Sequence, residues 1–215
     1  MKINILTLFP DMFSVLSHSI SGRAIKTGAV ELNIVNIRDF SNDNYQTVDD
    51  APYGGGAGQV MKPDVLGRAI ESLDYNAGPV FYLSPRGRRF VQETAHEFAA
   101  LSGMTFICGH YEGVDERVLE YYNAREISLG DFVLSGGELA LLPIIDSVAR
   151  LLPGVLGSDA SLHEESFSEA LGGGFEYPQY TRPIEWNGLR VPEVLVCGNH
   201  ALVRKWRMSK VKKAE

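Results

Sequence analysis

The sequence predicts an α/β fold: a mostly parallel sheet with helices on both faces, followed by a small helical C-terminal domain. Three observations carry this. Between residues 79 and 152, strand-length apolar runs alternate with runs of helical period. Two further strand-like runs precede them, each followed by a segment able to form a helix. The three strands of the alternating region each end in a short loop of glycines and polar residues, where open α/β sheets bind ligands.

Lys2–Leu8 (KINILTL) reads as the first strand, and Asp11 is a suitable N-cap for a helix after Phe9-Pro10. ELNIVNI at 31–37 alternates and is rich in branched residues, which predicts a second strand. Residues 38–59 are polar with no clean period. Pro63 stands where a helix begins, and DVLGRAIESL continues it with apolar spacings of three and four. PVFYLSP at 79–85, MTFICG at 104–109 and REISLG at 125–130 are strand candidates. The stretches at 90–101 and 114–122, and an apolar stretch from Gly137 to Leu152, are helix candidates. Residues 154–180 are polar and glycine-rich without sustained period, so they read as a linker. The expected division is 1–157, a linker at 158–177, and a short domain at 178–215 that ends in a basic helix.

The 215 residues are 45% hydrophobic and 22% charged, ordinary for a chain that buries a core. The net charge of −7 does not announce a nucleic-acid binder, but its distribution is uneven. Gly198–Lys213 holds no acid and six bases, Arg204, Lys205, Arg207, Lys210, Lys212 and Lys213. Arg86, Arg88 and Arg89 form a second basic knot. Either is readable as a solvated face or as a phosphate-facing one. Cys108 and Cys197 make no disulfide framework and have no metal-ligand spacing, so a reducing compartment is expected. No apolar run approaches the roughly 18 residues of a membrane span. The opening MKINILTLFP lacks the pattern of a secretory signal, and a cytoplasmic location is expected.

The glycine-rich stretch DDAPYGGGAGQVMKP at 49–63 excludes two phosphate motifs. No Lys-Ser or Lys-Thr follows at Walker spacing, and Gln59 stands where G-x-G-x-x-G needs its third glycine. Asp49 and Asp50 would repel phosphate. A plain turn, or a loop that admits a flat ligand close to its backbone, remains open. LSGGEL lacks the pattern of a nucleophile elbow, and the five histidines show no metal spacing. His110 and Glu112 lie in the CGHYEG loop, Glu164 and Glu165 in the linker, and Arg150 at the end of an apolar helix, where it suits the helix dipole.

The loops in order, DDAPYGGGAGQVMKP, YLSPRG, CGHYEGVDERV, EISLGDFVLSGGELA, VARLLPGVLG, EESFS, YPQYTRP and VPEVLVCGNHALVRKWR, resemble the bacterial tRNA (guanine-N1)-methyltransferase family of the TrmD type over residues 1 to about 208. The resemblance implies the SPOUT class, in which the strand-end loops form a deep trefoil knot that holds S-adenosylmethionine. The positions it implies for the donor are Tyr82, Leu83, Ser84 and Pro85; Gly109, Tyr111, Glu112 and Gly113; and Ser128, Leu129, Gly130, Asp131, Phe132, Val133, Leu134, Gly136 and Gly137. The implied reaction is methyl transfer to N1 of guanosine 37, immediately 3′ of the tRNA anticodon. Glu165, in place of the family's usual aspartate, matches the general base, and Arg150 the arginine that stabilises charge on guanine O6. Asp50, Tyr53, Gly55, Gly56, Arg182, Asn199 and Arg204 are the implied substrate contacts. Mg²⁺ is implied as a cofactor, with Glu112 and Glu165 as oxygen ligands. The resemblance also implies a homodimer whose active site is shared between subunits, with tRNA as substrate and no membrane contact. The family usually has methionine where Gln59 stands, a shorter segment before the YTRP motif, and more helix after the basic one. Action on a different RNA, or an inactive RNA-binding homologue, are the competing readings.

Overall fold

The computed structural model describes residues 1–73, 78–157 and 163–213. The chain divides into two units, Met1–Leu156 and Gly157–Glu215. Residues 158–162 of the expected linker, and 214–215 of the expected C-terminal domain, lie outside the described residues.

In the first unit the strands and helices alternate as the apolar periods require. They are β1 (Lys2–Thr7), α1 (Ser19–Lys26), β2 (Glu31–Asn36), β3 (Asp49–Asp50), β4 (Val60–Met61), α2 (Pro63–Glu71), β5 (Val80–Arg89), α3 (Gln92–Ala99), β6 (Gly103–Ile107), α4 (Glu116–Tyr121), β7 (Arg125–Ser128) and α5 (Gly137–Ala149). Five strands form one sheet in the order β2-β1-β6-β5-β7, and every pairing is parallel. Strand β1 shows why both faces are covered. Its Ile3 and Ile5 belong to one buried cluster, with Phe81, Phe98, Phe106, Leu141 and Ile144. Leu6 points into a second cluster, with Leu66, Ile70, Val118 and Leu119. Helices α1, α3 and α5 therefore cover one face, and α2 and α4 the other.

Three elements differ from their sequence expectation, each for a local reason. Asp11 does not cap an α-helix: Pro10–Ser17 is a 3-10 segment preceded by Phe9, and α1 begins only at Ser19. The break falls where His18 is extended and Ser19 has φ of 53°. Strand β5 does not end at Pro85. Its pairing with β7 leaves register between Leu83 and Arg88, then resumes at Arg88 and Arg89. Proline has no N–H for the ladder, and Ser84 Oγ instead accepts from Arg86 N–H at 3.2 Å, so the ladder is interrupted at 84–87 with Pro85 and Arg86 exposed and Ser84 still buried. Within residues 38–59, where the sequence shows no clean period, a short strand precedes the glycine-rich loop. Asp49 and Asp50 pair antiparallel with Met61 and Val60, which makes residues 51–59 the tip of a minimal hairpin. Two residues are too few for any period to show.

The second unit is small. A 3-10 turn at Glu169–Leu171 is closed by left-handed Gly172. Phe175 pairs antiparallel with Lys212. A hairpin joins β8 (Glu185–Trp186) to β9 (Leu189–Arg190), and α6 spans His200–Lys210. Leu171 and Tyr177 are its buried side chains among the described residues. The segment read as a linker makes specific bonds from residue 163 onward. Phe167 N–H donates to the Gly174 carbonyl at 2.8 Å, and Tyr177 Oη donates to Glu164 Oε2 at 2.7 Å. Arg207 lies 5.0 Å over the Tyr177 ring.

Candidate active site

Strands β6, β5 and β7 are neighbours, and their carboxyl ends deliver three loops to one place. The loops enclose a cavity of about 250 Å³. The first loop contributes Tyr82, Leu83, Ser84 and Pro85, and the second Gly109, Tyr111, Glu112 and Gly113. From the third come Ser128, Leu129, Gly130, Phe132, Val133, Leu134, Gly136 and Gly137. These sixteen sequence-selected residues line one cavity; the seventeenth, Asp131, does not. Its carboxylate is exposed and bonded to Arg89 at 2.6 Å, which also holds it below its ordinary pKa. The other arginines of that knot are similarly engaged, Arg86 by Glu126 and Glu116 and Arg88 by Glu97. The basic knot is therefore ion-paired.

Close packing shapes the cavity. The Tyr82 ring lies against Gly109, where a Cβ would come within 2.7 Å of it. Burial, and secondarily the charge of Glu126, pushes the Tyr82 phenol above its ordinary pKa. The first residue of α5, Gly137, donates its N–H to the Gly109 carbonyl at 3.0 Å. A Cβ on Gly137 would stand 2.7 Å from Cys108 Cα, so the helix start abuts the end of β6. The Ser128 hydroxyl donates to the Gly130 carbonyl and accepts from its N–H, both at 3.2 Å, tightening the third loop. Phe132, Val133 and Leu134 form an exposed apolar rim.

Sequence reasoning passed over Glu138, Ile127, Ser135 and Ala140, and left His110 undecided. Ile127, Ser135, Ala140 and His110 line the cavity. Glu138 is 1% exposed. Its Oε2 is 2.6 Å from His110 Nε2, and its Oε1 accepts from Thr7 Oγ1 at 2.6 Å. Thr7 Oγ1 in turn accepts from Phe9 N–H at 2.9 Å. A buried carboxylate must be bonded, and this one ties β1, the second loop and α5 together. The available signal was an acid directly after two glycines at the start of a strongly apolar helix.

The glycine-rich loop holds Asp50, Tyr53, Gly55 and Gly56 at the surface, with Tyr53 99% exposed. Asp50 Oδ1 accepts from Ala51 N–H at 2.7 Å. Arg150 caps the C-terminus of α5, its N–H donating to the Asp146 carbonyl at 3.2 Å. Glu165, Arg182, Asn199 and Arg204 belong to the second unit. The Glu165 carbonyl accepts from Ser168 N–H at 3.0 Å. Asn199 is the N-cap of α6, its Oδ1 accepting from Ala201 and Leu202 N–H at 3.1 and 3.2 Å. Arg182 lines a groove with Tyr180, Ile184 and Trp206. Arg204 shares a smaller one with Glu164 and His200. Among the described residues no three or more His, Cys, Asp or Glu side chains cluster in a way that could hold a metal ion. No helix among them is long and apolar enough to cross a membrane.

A parallel sheet that builds a cavity from three adjacent strand-end loops defines an α/β protein with a cavity at its carboxyl edge, the place where such folds bind small molecules. Comparison gives the particular family. The sequence profile described as tRNA (Guanine-1)-methyltransferase TrmD matches residues 1–214, and the chain belongs to that family. A tRNA (guanine-N(1)-)-methyltransferase of Clostridium perfringens strain SM101 is 53% identical over 208 residues, covering 96% of this chain and 86% of the relative. One from Clostridium beijerinckii is 53% identical over 211 residues, 98% of this chain and 87% of the relative. A third, from Clostridium acetobutylicum, is 52% identical over 208 residues, 96% of this chain and 84% of the relative.

Proposed function

We propose that this protein methylates N1 of a guanosine in tRNA, the guanosine 37 that lies 3′ of the anticodon, with S-adenosylmethionine as donor. The observation that carries the reading is the strand-end cavity in a member of this family. Its about 250 Å³ lies just under the roughly 300–1,000 Å³ of common ligand sites. Its lining is rich in glycine, with Gly109, Gly113, Gly130, Gly136 and Gly137 bringing backbone rather than side chains to the wall, which suits a flat adenosine. The donor supplies an electrophilic methyl group on a sulfonium sulfur.

Guanine N1 carries a proton at neutral pH, and the nitrogen becomes nucleophilic as that proton leaves. Glu165 is the carboxylate that accepts it, in the role the family gives to an aspartate. Arg150 stabilises the negative charge that builds on guanine O6. With the donor bound, its methyl group would pass to N1 and its sulfur would be left as a neutral thioether, while Glu165 takes up the N1 proton. Mg²⁺ is part of this reading through the family resemblance: it would keep several waters and take one or two carboxylates. Glu112 in the cavity wall would be one and Glu165 the other. In this reading the knotted strand-end loops hold the donor, a homodimer completes each site with the partner's second unit, and the basic face of α6 meets tRNA phosphates in the cytoplasm.

The test is transfer of a tritiated methyl group to tRNA transcripts with G or another base after the anticodon. Transfer that requires the guanosine supports the reading, whereas methylation of ribosomal RNA alone, or donor binding with no transfer, refutes it. Glu165→Gln should lower the single-turnover rate by a factor on the order of 100 or more with donor affinity nearly intact. Full activity of that variant removes Glu165 from the mechanism.

A further inference from the structure

The glycine-rich hairpin and the second cavity loop are joined by a short backbone ladder. Glu112 N–H donates to the Gln59 carbonyl at 2.9 Å, Met61 N–H to the Gly113 carbonyl at 2.9 Å, and Asp115 N–H to the Met61 carbonyl at 3.2 Å. Met61 and Val114 form a parallel bridge, and the buried Met61 sulfur accepts from His110 N–H at 3.4 Å. Residues 59–61 and 110–115 therefore behave as one body.

Gly58 stands at the head of this ladder with φ of +84°. A Cβ there would land on Glu112 Oε1 and lie 2.8 Å from Glu112 Cδ. Gly54 and Gly55 share the left-handed backbone, with φ of +88° and +79°, but a Cβ on either meets nothing within 4 Å. The conformational requirement for glycine is common to the loop, and the steric requirement at the carboxylate is specific to Gly58.

We propose that Gly58 is a positioning residue whose missing side chain lets the Glu112 carboxylate sit in the wall of the donor cavity, so that the base-side hairpin sets the geometry of the donor side. The obstructed atoms, from Glu112 Cγ outward, belong to one flexible side chain and not to backbone. A methyl at position 58 therefore turns Glu112 into another rotamer and leaves the loop folded. The functional part of this inference rests on the reading of the cavity as the methyl-donor site.

The test compares Gly58→Ala, Gly54→Ala, Glu112→Gly and the Gly58→Ala/Glu112→Gly double variant, all as full chains. S-adenosylmethionine affinity is read by calorimetry, and the Gly58→Ala rotamer by crystallography. Gly58→Ala and Glu112→Gly should each weaken donor binding on the order of tenfold, the loss of one charge-assisted hydrogen bond. The double variant should bind like Glu112→Gly alone, and Gly54→Ala, which carries only the backbone strain, like the unsubstituted protein. Losses that multiply in the double variant, an equal loss in Gly54→Ala, or wild-type affinity in Gly58→Ala overturn the proposal. If the unsubstituted protein binds no donor, the donor reading fails and the crystal structure decides the steric claim: a displaced Glu112 upholds it, and an unmoved one overturns it.

Discussion

Glu138 gives the most direct test of what holds the cavity together. Replacement by alanine leaves the Thr7 hydroxyl and His110 Nε2 without the acceptors they reach at 2.6 Å each. Breaking a buried ionic or charge-assisted contact by removing one partner costs about 3–5 kcal/mol. Against a typical stability of about 5–15 kcal/mol, that loss is a large share of the total and weakens the folded state clearly. With a urea slope of about 2 kcal/mol per molar, the midpoint should fall by about 1.5–2.5 M. Glu138→Gln keeps the shape and one carbonyl acceptor, so its cost should be about 1–2 kcal/mol. Urea unfolding followed by circular dichroism measures both. Donor affinity provides the second readout, because His110 lines the cavity and loses its anchor in the alanine variant but keeps it in the glutamine variant. An alanine variant within about 1 kcal/mol of the parent would refute the argument, since a carboxylate so buried cannot be silent if its bonds are formed.

Two other expectations follow from local geometry. The Tyr122 phenol is pushed up to about 12, first by burial and then by the hydrogen bond it donates to Glu71 at 3.0 Å. The folded state thus favours the neutral phenol: the contribution is complete below the unfolded pKa of about 10 and is lost as pH rises toward the folded value. Unfolding midpoints measured across that window should fall more steeply for the parent than for Tyr122→Phe, and parallel curves would contradict it. Asn199→Ala removes the acceptor for two α6 N–H groups and should destabilise that helix by about 1 kcal/mol, seen as faster amide hydrogen exchange at Ala201 and Leu202. Unchanged exchange would leave Asn199 without a capping role.

The layered sheet was legible because its signals are periodic. The apolar run of β5 and the helical spacing of α2 survive in any context that buries them. The cavity was legible through its glycines and through the ends of β5, β6 and β7, which topology brings side by side. Glu138 was not, because a carboxylate's burial depends on Thr7 and His110 arriving from 131 and 28 residues away. The resumption of β5 at Arg88 depends on β7, and Asp131 is drawn to Arg89 by an ion pair that no loop motif encodes. Glycine richness at 54–58 announced close approach without saying to what; the neighbour is Glu112, more than fifty positions on.

The order β2-β1-β6-β5-β7 also sets a timetable. Lys2 pairs with Gly103 and Leu6 with Ile107, so β1 has no partner on that side until roughly one hundred further residues exist. At about 5–20 residues per second of synthesis, that is an interval on the order of 5–20 s. Until then the strand that holds Ile3, Ile5 and Leu6, each 0% exposed in the finished sheet, has β2 as its one paired strand. Long-range parallel pairing closes slowly as well. The nascent chain therefore carries an apolar strand with one open edge for seconds, and the yield of folded protein in the cell should depend on what shields that edge.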